Sequence, residues 1–151
     1  GSAKATISPE LKTAIESNKF SAIIFCPSNP YLSIDPILSI KEIQSYIQSS
    51  PAPVVAVSPI VAGKALRGPA AKIMNEIGIP ASVISIAKHY YPLIDGLIID
   101  QKDKIMASEI QSMGIEVGVT NTIMKTEADK IQLAQDVVAF SQEIITKKGL
   151  I

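Results

Sequence analysis

A single cysteine, Cys26, stands among 151 residues. That excludes an intrachain disulfide framework and any zinc cluster built on cysteines. Histidine is as scarce, with His89 alone, so no Ser/His/Asp arrangement can be assembled by spacing, and no pair of carboxylates is marked out for acid–base work. An excess of one charge is missing too. Fourteen lysines and arginines balance fourteen aspartates and glutamates, which leaves no footprint for nucleic acid or an anionic membrane; only a site that neutralises phosphate locally remains open. No apolar run approaches the ~20 residues needed to span a bilayer. The start carries no basic segment followed by an apolar one, as a secretory signal would. Gly1-Ser2 reads as a cloning scar, leaving 3–151 as the natural portion and making residue 3 an internal cut point. Repeats and low-complexity tracts are absent. A soluble, cytoplasmic chain is the expectation.

What is present is an ordinary globular balance, 47% apolar and 19% charged residues, at a length that suits one domain or a piece of a larger one. Short apolar runs without alternation, Ala22–Cys26, Val54–Val57 and Leu97–Ile99, suit strands buried on both faces, and Ile115 to Val119 gives a fourth strand. Between them lie helical patterns. Ser8-Pro9-Glu10 opens a helix that should end near Asn18. Pro36 starts a helix carrying Ile37, Ile40, Ile43, Tyr46 and Ile47 at helical spacing, stopped by Ser49–Pro53. A helix is expected from Ala70 to Glu76 with Gly78 as its stop, and another from Asp103 to Met113 with Gly114 as its stop. Ser82 to Tyr90 is ambiguous. Thr126-x-x-Asp129 resembles a capping box and opens a helix with Ile131, Ala134, Val138 and Ile145 as its apolar stripe. The alternation predicts an α/β fold: a three-layer, Rossmann-like parallel sheet of about four strands flanked by helices, half of a larger doubly wound domain.

Ligands of open α/β sheets bind beyond the carboxyl ends of the strands, where two conspicuous loops fall. Residues 27–36 hold three prolines and are predicted to be irregular. Ser28, Asn29 and Ser33 there present hydroxyls and an amide before a helix N-terminus, which suits an anion; the plainer reading is a turn whose polar side chains satisfy its own backbone. Residues 58–69 set Lys64 and Arg67 between Gly63 and Gly68, cations that could neutralise a diphosphate beside a closely approaching backbone. The plainer reading is a solvated loop with two surface charges, and the Walker A spacing is absent. His89 reads as a cap of carbonyls at a helix end, Asp100 as the cap of the following helix rather than a metal ligand, and Cys26 as inert packing.

Taken together, Pro27-Ser28-Asn29-Pro30, Ser33-Ile34 and Pro36-Ile37-Leu38 resemble the PSNP…SIxPIL signature of the 2-phospho-L-lactate transferase family. Ala56-Val57-Ser58-Pro59-Ile60 with Gly63-Lys64-Ala65-Leu66 and Gly68-Pro69-Ala70 resembles its second signature. The likeness runs through the whole chain and corresponds to the C-terminal half of such enzymes. It implies a Rossmann-like fold and transfer of a phospholactyl, or phosphoenolpyruvyl, group from a guanosine diphosphate adduct to the deazaflavin precursor of coenzyme F-420. GMP leaves and magnesium assists. On this resemblance Ser28, Asn29, Pro30, Ser33, Ser58, Gly63, Lys64 and Gly68 line the guanosine diphosphate side, with Arg67 added for its charge. Members commonly have glycine where Cys26 and Asp35 stand, and often where Ala62 stands, so Asp35 sets a negative charge near the expected phosphate site. The catalytic base and metal ligands have no counterpart in this chain, and the piece alone is expected not to turn over. Two other readings stay open: a non-catalytic nucleotide-sugar-binding regulator of related fold, and a structural half-domain that completes itself by homodimerising.

Overall fold

The computed structural model describes residues 5–17, 19–65 and 68–149. It is α/β. The strands β1 (Ile23–Phe25), β2 (Val54–Val57), β5 (Gly96–Asp100) and β6 (Glu116–Thr120) form one parallel sheet in the order β1-β2-β5-β6, with Ile24 opposite Val55, Ala56 opposite Leu97 and Ile98 opposite Gly118. Helices cover both faces: α1 (Pro9–Glu16), α2 (Asp35–Leu38), α3 (Lys41–Ser49), α4 (Ala70–Glu76), α5 (Val83–Tyr90), α6 (Ala107–Gln111) and α7 (Glu127–Lys147). The architecture is the Rossmann-like three-layer arrangement that the apolar runs predict.

The absence of alternation in the strands has its cause here. Val54, Ala56, Leu97 and Ile99 pack into one core with Ile47 of α3, Met74 of α4, Ile86 of α5 and Ile110 of α6. Their neighbours Val55, Val57 and Ile98 point the other way, against Leu133, Val137 and Ile144 of α7. Side chains alternate between faces, and at the two central strands, β2 and β5, both faces are buried.

Several expectations are corrected in detail. Residues 27–36 are not wholly irregular: Pro30–Ile34 forms a single π-helical turn leading straight into α2. Pro30 is tolerated because it sits at the start, where an N–H has no helical partner to find, and Asn29 Oδ1 accepts from the amides of Tyr31 (3.0 Å) and Leu32 (3.1 Å). The helix expected from Pro36 through Ile47 is two helices, because Ile40 turns extended at φ −78°, ψ 113°. The Ser39 hydroxyl donates to the Pro36 carbonyl at 2.8 Å, a local bond that competes with continuing the ladder. Residues 58–69 contain a small antiparallel hairpin, β3 (Ile60–Val61) and β4 (Lys64–Ala65), turned by Ala62 and Gly63 with φ of 47° and 74°. Ahead of α6 the chain runs as a 3-10 turn over Gln101–Met106. Ser82 settles the ambiguous segment as α5 by accepting from the Ser85 amide at 3.1 Å. The expected end of α1 near Asn18 lies outside the described residues, as do Gly1 and Ser2.

The α7 stripe is shifted. Leu133, Val137, Ser141 and Ile144 are buried, whereas Ile131 and Val138 are 54% and 57% exposed. Both series have helical spacing, so periodicity could not choose between them. The sheet chooses: a Cβ on Gly96 would stand 2.6 Å from Ile144 and 2.7 Å from Phe140, and one on Gly118 3.3 Å from Phe140. These two glycines make the recess into which that face of α7 descends. No helix among the described residues is long and apolar enough to cross a membrane.

Candidate functional site

The loops that leave the carboxyl ends of β1, β2 and β6 enclose a hollow of about 770 Å³. From the first loop come Ser28, Asn29, Leu32 and Ser33, from the second Ser58 and Pro59, with Gly68 and Pro69 beyond it. The third wall is Thr122, Ile123, Met124 and Lys125, with Lys130 of α7 behind. Of the residues expected at the site, the structure therefore brings together Ser28, Asn29, Ser33, Ser58 and Gly68.

These residues are not equivalent. The Ser58 side chain is committed internally, donating to the Ile60 carbonyl at 3.0 Å and accepting from its amide at 3.1 Å; it staples the turn out of β2 and has little left for a ligand. Asn29 Oδ1 is likewise taken by the π turn, but its Nδ2 is buried and has no hydrogen-bond partner. A buried donor left unmatched is unfavourable, and this one belongs to the wall of the hollow. The Ser28 and Ser33 hydroxyls make no hydrogen bond among the described residues, so they too are free for a ligand. Pro30 is buried and serves the turn rather than the lining.

Gly63 and Lys64 line a separate, shallower depression with Lys72 and Glu76; it adjoins the hollow only through Gly68, which lines both. Arg67 lies outside the described residues. Lys64, the described cation of the second loop, is thus outside the hollow, whose described lining instead includes two lysines, Lys125 and Lys130, and no carboxylate. Lys130 is paired with Glu127 at 2.8 Å.

The third wall went unremarked in the sequence, although the carboxyl-end rule that picked the first two loops applies equally to the one after β6. It is braced from beneath. Asp100, 3% exposed, accepts from the Lys102 amide at 3.1 Å with one oxygen and from the Thr122 amide at 3.0 Å with the other, which also takes the Thr122 hydroxyl at 3.3 Å. Asp100 is the cap expected of it, and also the strut of this wall. Asp103 holds the hairpin turn, accepting from the Ala62 amide at 2.9 and 3.2 Å. Asp95 lies at the opposite end of β5, taking the Val54 amide at 2.8 Å and pairing with Lys148. Among the described residues no three of His, Cys, Asp and Glu come together as a metal cage.

Three further expectations change. His89 does not cap carbonyls; its Nε2 meets Asp35 Oδ1 at 2.9 Å, with Tyr31 and Tyr90 edge-on at 4.9 and 5.1 Å between ring centres. Burial pushes the Tyr90 phenol well above its ordinary range, with Asp35 and Tyr31 adding to the shift. Asp35 therefore has a partner, and it borders a different hollow, of about 590 Å³, shared with Tyr91 and Leu93; its charge does not fall in the lysine-lined one. Cys26 is exposed, because β1 is an edge strand that ends at Phe25.

Comparison with known proteins gives the family. The sequence profile described as 2-phospho-L-lactate transferase CofD matches residues 1–143. Among individual relatives, a 2-phospho-L-lactate transferase of Methanocaldococcus jannaschii is 44% identical over 128 residues, 84% of this chain and 40% of the relative. That of Methanopyrus kandleri is 35% identical over 141 residues, 91% of this chain and 44% of the relative. A phosphoenolpyruvate transferase of Kitasatospora aureofaciens is 32% identical over 123 residues, 81% of this chain and 38% of the relative. The chain thus spans about two fifths of the length of the curated relatives it matches. With the profile matched over residues 1–143, the chain belongs to the 2-phospho-L-lactate transferase CofD family.

Proposed function

We propose that this chain is the nucleotide-side portion of a cytoplasmic transferase that moves a phospholactyl or phosphoenolpyruvyl group from a guanosine diphosphate adduct to the deazaflavin precursor of coenzyme F-420, releasing GMP. One observation carries the reading: a hollow at the carboxyl ends of the parallel strands is lined by a lysine outside any described salt bridge, two serine hydroxyls and an unpartnered asparagine amide, and by no carboxylate among the described residues. Transfer of a phosphoacyl group asks chiefly for positioning and charge neutralisation, and such a lining supplies both without a covalent nucleophile. Asn29 Nδ2 is suited to a carbonyl or phosphoryl oxygen, while Leu32 and Met124, 62% and 37% exposed at the lining, suit the faces of a planar base. Relatives are named for either acyl group, and the lining does not distinguish them.

Magnesium does not fit the residues present, since the described lining offers no carboxylate and the Asp100 oxygens accept from amides. Its ligands, like the catalytic base, are proposed to belong to the part of the relatives' length that this chain does not span. The chain alone should therefore bind nucleotide and not turn over. Titration calorimetry tests the reading. The wild-type chain should bind GDP, and Asn29→Asp, which keeps the oxygen that caps the π turn and replaces the amide nitrogen by an acceptor, should weaken binding by about tenfold or more. Absence of heat with millimolar GDP would remove the assignment.

A further inference from the structure

We infer that Lys125, in the loop between β6 and α7, is among the described residues the one that meets the diphosphate charge, and that neither Lys64 nor Lys130 does. The inference rests on the nucleotide reading above and assigns a residue that neither of the two signatures contains.

Four observations converge on Lys125. It lines the hollow that holds the unpartnered Asn29 amide, whereas Lys64 lines the neighbouring depression. No carboxylate lies within salt-bridge distance of it among the described residues, whereas Lys130 already has Glu127 at 2.8 Å. An ammonium outside salt-bridge distance of any described carboxylate, with only the longer-range attraction of Asp129 acting on it, gains more from an arriving anion than one already paired. The backbone also holds Lys125 in place. Upstream, Thr122 is tied to buried Asp100, and the Ile123 amide donates to Asn121 Oδ1 at 3.1 Å. Downstream, the Lys125 amide itself donates to Asp129 Oδ2 at 2.9 Å. The loop is thus braced on both sides, and only the side chain remains to be ordered on binding, which keeps the entropic penalty small.

The same contacts exclude the obvious competitor. The N-terminus of α7 is a common type of anion seat, but here Asp129 takes the amides of Lys125 and Thr126 at 2.9 and 2.7 Å, and the Thr126 hydroxyl takes that of Asp129 at 3.2 Å. A resident carboxylate already occupies that helix end, so a phosphate is met by the ammonium group rather than by the helix.

The test is calorimetry on the 151-residue chain with GDP, GMP and guanosine, comparing wild type with Lys125→Met, Lys125→Arg, Lys64→Met and Lys130→Met; methionine keeps the length of the side chain and removes its charge. Lys125→Met should weaken GDP by about tenfold or more, GMP by less and guanosine hardly at all. Lys125→Arg should recover most of the loss, and Lys64→Met and Lys130→Met should each change GDP affinity by less than about threefold. Equal losses for GDP and guanosine in Lys125→Met would mean a misshapen loop and overturn the assignment. So would a tenfold loss in Lys64→Met with Lys125→Met unaffected, and then the nucleotide reading survives. No GDP binding by wild type would bring down both.

Discussion

Asp103 shows how single residues shape the loops of this chain. Its carboxylate, 2% exposed, takes the Ala62 amide with both oxygens and so fixes a turn in which Ala62 stands at φ 47°, a backbone region that strains any residue carrying a Cβ. Two opposite changes are expected from one corner. Asp103→Ala should lower the free energy of unfolding in urea by about 1–2 kcal/mol through loss of a charge-assisted bond. Ala62→Gly should raise it by about 0.5–1 kcal/mol, because relief of the left-handed strain exceeds the added freedom of the unfolded chain. Substitution of Asp100 acts elsewhere: it frees Thr122 and loosens the third wall of the hollow, so the GDP affinity proposed for that hollow should fall along with stability.

At the scale of elements, α7 is the clearest case. Its start is a complete capping box in which Thr126 and Asp129 exchange bonds; Thr126→Ala should cost about 1 kcal/mol in urea unfolding. Hydrogen bonds from Thr126 and then Lys125 hold the Asp129 carboxyl below the ordinary aspartate range. For a group whose folded pKa is depressed, the stabilisation is present above the unfolded value and disappears as pH falls through the folded one. In Asp129→Asn the acid side of the stability profile, below about pH 4, should accordingly be shallower than in wild type, with neutral-pH stability the more affected. The other end of the helix's fit is the glycine recess. Gly96→Ala would force a Cβ to within 2.7 Å of both Ile144 and Phe140, and overpacking of this kind should destabilise by about 1–3 kcal/mol, read as a lowered urea midpoint with an unchanged slope.

Considered whole, the chain leaves apolar surface uncovered. Ile24, on the same face of the sheet as Val55, is 37% exposed, Phe20 42% and Leu11 40%, while α7 turns Ile131 and Val138 outward at 54% and 57%. β1 and β6 are the sheet's edges. Open edges and apolar strips of this extent promote association, and the relatives have more than half of their length beyond what this chain matches. By itself the chain should therefore sediment as species larger than a monomer at micromolar concentration. Ile131→Glu combined with Val138→Glu should shift it toward monomer without lowering its unfolding midpoint, since neither side chain is in the core. A monodisperse wild-type monomer would contradict this expectation.

Layering, strand order along the chain and the two loops at the carboxyl ends of β1 and β2 were legible in the sequence, because strands buried on two faces must be apolar at every position and because proline and glycine punctuate turns through constraints that act locally. The π turn was concealed by its prolines, which forbid a helix interior yet are harmless at its start. Which stripe of α7 faces inward was not readable, since two interleaved series satisfy the same period and only the recess over Gly96 and Gly118 separates them. The two loops came from sequence; their unequal share in the hollow, and the arrival of Lys125 in the same hollow as Asn29 from far along the chain, came from the sheet order, which brings the ends of β1, β2 and β6 to one rim. Local propensity settles what each segment becomes, whereas proximity between distant segments is a property of the packed sheet alone.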